Sequence, residues 1–438
     1  MRRAIRENAL CALAAAGASA AMAWLGLYGF AWNDYEIEAQ PAFSALTHGH
    51  VLEFLRLVPA YGGSLVERAP FALLPGLWGG GELAVYRMVA LPCLLAGAAL
   101  GVWLCAQMRA AGRKTLWRAI VLGVCVANPL TLQALELGHP EELLSACLCV
   151  AAVLLAVRGH SIWAGVLLGL AIANKEWALI AAGPVLVALP ASAGTARWRQ
   201  ATICLASAGV AAAAMLAPLM LASPGGFATG ARGAVTPQQA LFQPWQVWWF
   251  FGVPNHVSIP TGVTRIVPMN AALSIHPGWR LAPSWLSGIA HPLILLLALP
   301  LTLVAWPRHR RPDAPLLLLA LLLLARCLLD PWDIGYYSLP FILALLAWEA
   351  CHEPARPPML ALASTVLAWL SFRWLQSHGA SPDLQAALFL VWTLPLATAL
   401  ALALYAPERL SRIGEICGVK PSGRAADSRL KWLPVLPR

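Results

Sequence analysis

Residues 161–190 read SIWAGVLLGLAIANKEWALIAAGPVLVALP, and this stretch decides the architecture. It is apolar over thirty positions except at Asn174-Lys175-Glu176. One membrane-crossing helix needs about 20 apolar residues, so the run is too long for one crossing and too short for two full ones. The polar triplet in its middle predicts two half-helices that enter and leave on one side. Irregular backbone at that depth is tolerated only where protein shields it or where it lines a cavity.

The rest of the chain has the same character. Of 438 residues, 60% are hydrophobic and 11% charged, against about 25% charged in a soluble domain. Spans are expected near 9–31, 84–107, 119–136, 142–157, 200–222, 286–306, 314–329, 336–350, 358–374 and 384–405. With the hairpin, the chain is expected to be an all-α, polytopic transmembrane bundle of about 11–12 membrane segments. The apolar run after Met1-Arg2-Arg3 is long enough to span, which favours an uncleaved first helix over a signal peptide. The net charge of +10 lies between apolar runs, which reads as an orientation signal and not as nucleic-acid binding.

Parity fixes an expected topology. With the N-terminus inside, most of the 30 Lys and Arg face the cytoplasm and most of the 20 Asp and Glu face outward. One long span over 161–190 would invert the later loops and put Arg308, Arg310 and Arg311 outside, against the positive-inside rule. A membrane domain over 1–406 follows, with outer loops at about 32–83 and 223–285. The first loop holds a mildly amphipathic piece, Phe43 to Val58, followed by turns. The second holds Trp245, Trp248, Trp249, Phe250 and Phe251, suited to the headgroup layer or to a lipid groove. The basic tail 407–438 is expected to be cytoplasmic and disordered or surface-bound. Most of the ten cysteines lie within apolar runs and read as small buried hydrophobes.

Charges at membrane depth are costly and mark function. Four separated segments present them to one face: Asp34, Glu36 and Glu38; Glu136, His139, Glu141 and Glu142; Lys175 and Glu176; and Asp330 and Asp333, followed by Tyr336 and Tyr337. Asp34 follows the first span directly, and a carboxylate at that boundary suits general-base duty. A solvated loop acid is the plain alternative.

This layout resembles the GT-C type glycosyltransferases, whose first outer loop carries an acid right after the first helix. Leu137-Gly138-His139-Pro140-Glu141-Glu142-Leu143-Leu144, with Ala164 to Lys175, resembles the polyprenol-phosphate-mannose-dependent group, glycosyltransferase family 87. Members often show Gly-Gln and Lys-Pro where this chain has Gly138-His139 and Lys175-Glu176. The resemblance covers roughly residues 20–190. It implies a polyprenyl-phosphate-linked sugar as donor, mannose by default with a pentose open, and a glycolipid or glycan acceptor.

Under that resemblance Asp34 is the expected base. Lys175, Arg265, Arg280, His256 and His276 are candidates for the donor phosphate. Glu36, His139, Glu141, Glu142, Glu176, Asp330, Trp332 and Asp333 are candidates for sugar or acceptor contacts. Each has a plainer reading beside it. Lys175 snorkels; the loop cations meet lipid headgroups; Glu141 and Glu142 suit the first turn of a helix; Asp330-Pro331 makes a helix-end turn. So many carboxylates leave room for a divalent cation, though nothing in the pattern specifies one, and His48-Gly49-His50 is too weak a metal signal to use. A transporter or lipid flippase and a structural membrane protein remain the competing classes.

Overall fold

The computed structural model describes residues 11–22, 34–59, 62–190, 195–235, 241–254, 280–306, 313–352 and 356–410. The helices are α1 (Cys11–Met22), α2 (Gln40–Thr47), α3 (Val51–Leu57), α4 (Gly63–Ala72), α5 (Glu82–Ala110), α6 (Thr115–Val126), α7 (Pro129–Leu137), α8 (Glu141–Val157) and α9 (Ser161–Asn174). They continue as α10 (Ala182–Ala188), α11 (Thr195–Ala222), α12 (Pro224–Val235), α13 (Ser284–Ala305), α14 (Ala314–Leu329), α15 (Leu339–Cys351), α16 (Met359–Trp369) and α17 (Pro382–Tyr405). The described strands are two residues each: β1 (Leu241–Phe242), β2 (Val253–Pro254) and β3 (Arg280–Leu281), with β3 pairing antiparallel to both others. The expectation of an all-α bundle holds.

Five helical stretches are long and apolar enough to cross a membrane: Glu82–Ala110, Thr115–Leu137, Ala196–Ala222, Gly288–Ala305 and Pro382–Tyr405. The last three bury only 17%, 22% and 17% of their most apolar windows. Apolar surface on that scale is what lipid covers. The interior belongs to α14 and α15, where every residue from Leu316 to Leu324 and from Leu339 to Leu346 is buried. These central helices have 16 and 13 residues, about 24 and 20 Å at 1.5 Å per residue, short of the ~30 Å hydrocarbon core. α5, with 29 residues, runs about 44 Å and overtops them.

Several expected boundaries shift for local reasons. The span at 119–136 breaks after Val126, because Asn128 accepts a hydrogen bond from the Leu130 amide at 2.9 Å and Pro129 takes the first helical position. The stretch 161–190 is two helical halves, as expected: α9 stops at Asn174, Lys175 is extended, and a 3₁₀ turn (Glu176–Ala181) leads into α10. α9 lies close against α11, because a Cβ at Gly165 or Gly169 would collide with the carbonyls of Cys204 or Ala208. The expected span at 358–374 is α16 followed by a π-helical turn, Leu370–Trp374.

The largest departure is the segment expected as the first outer loop. It is a packed helical unit, not an amphipathic piece followed by turns. A π-helical turn (Tyr35–Ala39) and α2 to α4 enclose Tyr35, Phe43, Phe54 and Leu65, and this cluster closes on Tyr86 and Val89 of α5 and Leu219 of α11. The expected first span at 9–31 is described only over α1. The tail beyond 410 lies outside the described residues. The nine described cysteines are free thiols and seven are buried.

Candidate functional site

The local reason Asp34 lies where it does is Gly138. It ends α7 in the left-handed conformation, φ 94°. A Cβ there would lie 2.6 Å from the Tyr35 amide nitrogen. Only glycine allows the chain at Tyr35 to press onto this turn. Tyr35 is buried, with its ring 4.3 Å from that of Tyr86, whose hydroxyl donates to the Leu135 carbonyl at 2.6 Å. The contact places the Asp34 carboxylate beside His139.

From there a chain of charges runs across the helix tips. His139 Nε2 lies 3.0 Å from Asp34 Oδ2, and its Nδ1 lies 2.9 Å from Glu141 Oε1. Glu141 also meets Arg68 of α4 at 3.2 Å and Lys175 Nζ at 3.2 Å. Lys175 reaches Glu142 at 3.6 Å. Glu142 accepts from the Trp177 indole at 3.0 Å and faces Arg326 at 4.0 Å. The Arg326 guanidinium stacks 4.3 Å from the Tyr337 ring centroid and 4.8 Å from that of Trp177. Its charge acts on Asp330, and Asp330 meets His291 of α13 at 3.6 Å.

Alternation of sign is what makes this burial tolerable, since an unpaired charge in low dielectric costs several kcal/mol. Hydrogen bonds lock the frame around it. Asn174 donates to the Glu141 carbonyl at 2.8 Å and Ser145 to the Ala171 carbonyl at 3.0 Å, so the hairpin tip is tied to α8.

Burial alone would lower the His139 pKa, but its hydrogen bonds to Asp34 and Glu141 override this and raise it to about 9. Lys175 Nζ is held between the Glu141 and Glu142 carboxylates. Burial would raise Asp330, yet His291 and Arg326 bring it below the usual carboxylate value. Asp333 is fully buried, and desolvation together with the charge of Asp330 pushes its pKa well up.

The expected residues therefore divide. Asp34, His139, Glu141, Glu142, Lys175 and Asp330 join one network. Glu36 and Glu176 are exposed at its edge. Lys175 has only 11% of its side chain exposed and is engaged by two carboxylates. Glu141 and Glu142 point into the network, and no side-chain hydrogen bond caps their helix. Trp332 packs on a separate cluster of Trp249, Leu286, Ala290 and Ala386. Arg280 belongs with that cluster: it meets Asp383 at 3.0 Å and stacks over Trp249 and Phe250. His256, Arg265 and His276 lie outside the described residues. The aromatic run also splits. Trp245 and Trp249 are buried with their indoles bonded to the Ser371 carbonyl and to Asp383, while Phe250 and Phe251 are exposed.

Arg68 was not anticipated from sequence, though it is buried and central. Its signal was an Arg within an apolar run, Ser64-Leu65-Val66-Glu67-Arg68-Ala69-Pro70-Phe71. Among the described residues, no group of three or more His, Cys, Asp or Glu side chains could hold a metal ion. Asp34 has 41% of its side chain exposed, whereas His139, Glu141 and Lys175 have 11% or less. Of these four, Asp34 is the group a ligand can reach. No family model and no curated protein matches this chain.

Proposed function

We propose that this chain is an integral membrane glycosyltransferase of the GT-C type. It moves a sugar, mannose first among the options, from a polyprenyl-phosphate donor to an extracytoplasmic lipid or glycan acceptor. Asp34 is the general base. The protein then sits in the plasma membrane as a multi-pass bundle, with both termini cytoplasmic and the helix tips of the site facing outward.

One observation carries the reading. A half-exposed carboxylate ends a buried network of charges assembled from the tips of helices far apart in sequence. Evolving such a cluster for packing alone is costly, because apolar residues of similar volume serve stability as well or better. The network runs across the tips at one end of α8, α9 and α14. A transporter would set such groups near mid-membrane, within repeats.

The chemistry is an inverting displacement. The acceptor hydroxyl proton passes to Asp34. The acceptor oxygen's electron pair forms the bond to the anomeric carbon, and the bond from that carbon to the phosphate oxygen breaks. The pair leaves on the polyprenyl phosphate, which preorganised cations stabilise. Lys175 is already engaged by two acids and Arg280 by Asp383, so the phosphate falls mainly to the loop residues Arg265, His256 and His276.

The test uses purified protein in liposomes with polyprenyl-phosphate mannose and related lipid-linked sugars. Asp34→Asn should lower transfer about 10²- to 10⁴-fold, the usual range for a lost general base, a loss far larger than any drop in its folded fraction. Full activity in that variant removes Asp34 as base. Solute flux without a glycosylated product would favour the transporter.

A further inference from the structure

His139 is 8% exposed, with both ring nitrogens within 3.0 Å of carboxylate oxygens. A side chain so engaged has no free donor for a sugar or phosphate, so the contact role expected from sequence does not suit it. We propose that His139 is the positioning residue of Asp34: it holds Oδ2 so that the remaining oxygen meets the acceptor hydroxyl, and Glu141, fixed by Arg68 and Lys175, holds His139. This rests on the reading of Asp34 as base.

The geometry sets the protonation state that the arrangement needs. Two carboxylates face one imidazole from opposite sides. A neutral ring has one N–H and turns a lone pair on the other acceptor; only the imidazolium donates to both. The surroundings are consistent with that cation. Asp34 comes from the segment ahead of α2, Glu141 and Glu142 from α8, and the Tyr336 ring, from the turn before α15, lies tilted against the imidazole at 5.3 Å. Lys175 from the hairpin tip opposes the charge, and Arg68 from α4 reaches it only through Glu141.

The two carboxylates are not equally dependent on the ring. Glu141 keeps Arg68 and Lys175 when His139 loses its proton. Among the described residues, His139 is the side chain paired with Asp34. The half-exposed acid is therefore the one whose orientation depends on the imidazolium.

Two measurements test this. In the first, kcat of the full-length protein in liposomes is followed from pH 6 to 10. Wild type should fall with a midpoint near 9. His139→Gln, which keeps a neutral donor, should lower kcat about 10- to 100-fold and lose that alkaline limb. His139→Ala should fall further than the Gln variant, with KM little changed in both. Wild-type kcat and pH profile in either variant overturn the proposal.

In the second, histidines carry a ¹³C label and the His139 signal is assigned by its loss in His139→Gln. Its midpoint should lie near 9 and move towards 6.5 in Asp34→Asn. A wild-type midpoint below 7, or one that Asp34→Asn does not move, overturns the proposal. If wild type transfers no sugar, the transferase reading falls, and the NMR titration alone decides whether His139 holds Asp34.

Discussion

The two ends of α14 each carry a buried aspartate, and the two behave differently. Asp313 precedes the first residue of the helix; Asp330 follows its last, about 24 Å away. At the first end, Asp313 Oδ2 receives the Trp348 indole at 3.0 Å and lies 2.6 Å from His352 Nδ1. The His352 carbonyl accepts from Arg113 at 2.8 Å. That group ties the start of α14 and the end of α15 to the turn after α5, and Asp313, His352 and Arg113 are all buried. At the other end, Asp330 belongs to a branched network that continues through Arg326, Glu142, Lys175, Glu141 and His139 to the half-exposed Asp34. Among the described residues, one end ties three buried side chains together, and the other leads to a reachable carboxylate. Burying charge does not separate structure from function here. What separates them is whether the network ends on a group that a ligand can meet.

The largest effect is expected from Glu141→Gln. Glu141 faces Arg68, Lys175 and His139 at once. Removing its charge leaves three buried cations undercompensated and should cost about 3–5 kcal/mol of stability, seen as a large loss of thermal stability in detergent. A variant as stable as wild type would show that the network is not the hub of this end.

Next in size is the pH dependence of His139. Its pKa is about 9 in the folded chain against about 6.5 unfolded. A raised pKa means the folded state binds the proton more tightly. Its stabilisation is therefore complete below about pH 6.5 and fades as pH rises through 9, by up to about 3 kcal/mol. Unfolding of wild type and His139→Gln at pH 6 and pH 9.5 checks this. The gap between them should shrink at the higher pH; a constant gap would mean that the ring is not charged in the fold.

How much of this was legible in the sequence follows from which signals are local. The hairpin was legible because Asn174-Lys175-Glu176 interrupts an apolar run that is otherwise unbroken. The convergence of Asp34, Glu141, Lys175 and Asp330 followed from parity, since each sits at the end of an apolar segment. Arg68 was not legible. It lies in a segment whose turns and modest amphipathicity suggested a loose loop, and its burial depends on α4 packing against α5 and the end of α9. That contact is tertiary and leaves no periodicity behind. Trp245 and Trp249 misled for the opposite reason: an aromatic run resembles an interfacial belt, but indole donors with partners at Ser371 and Asp383 draw these two inward. The role of Gly138 was equally hidden, because its close partner, Tyr35, lies about a hundred residues away.

A smaller effect is expected from α9. Gly165→Leu drives a side chain into the Cys204 carbonyl and should cost about 1–3 kcal/mol through overpacking. α9 carries Asn174 at its end, bonded to the Glu141 carbonyl, so prying α9 from α11 displaces the hairpin tip. Transfer activity per folded molecule should fall along with stability. If stability falls and the rate does not, the tip is not coupled to the site.

The smallest effect belongs to the Asp313 end. Asp313→Asn retains an oxygen that can accept the Trp348 indole proton but weakens the contact with His352. The loss of one charge-assisted hydrogen bond suggests about 1–2 kcal/mol. The rate per folded molecule should stay at the wild-type value, because Asp313 is separated from Asp34 by the length of α14. Measuring unfolding and turnover on one preparation distinguishes the ends directly. A drop in turnover larger than the drop in folded fraction would mean that the Asp313 group sets the position of the tips through α14, and that the two ends of this helix act as one device.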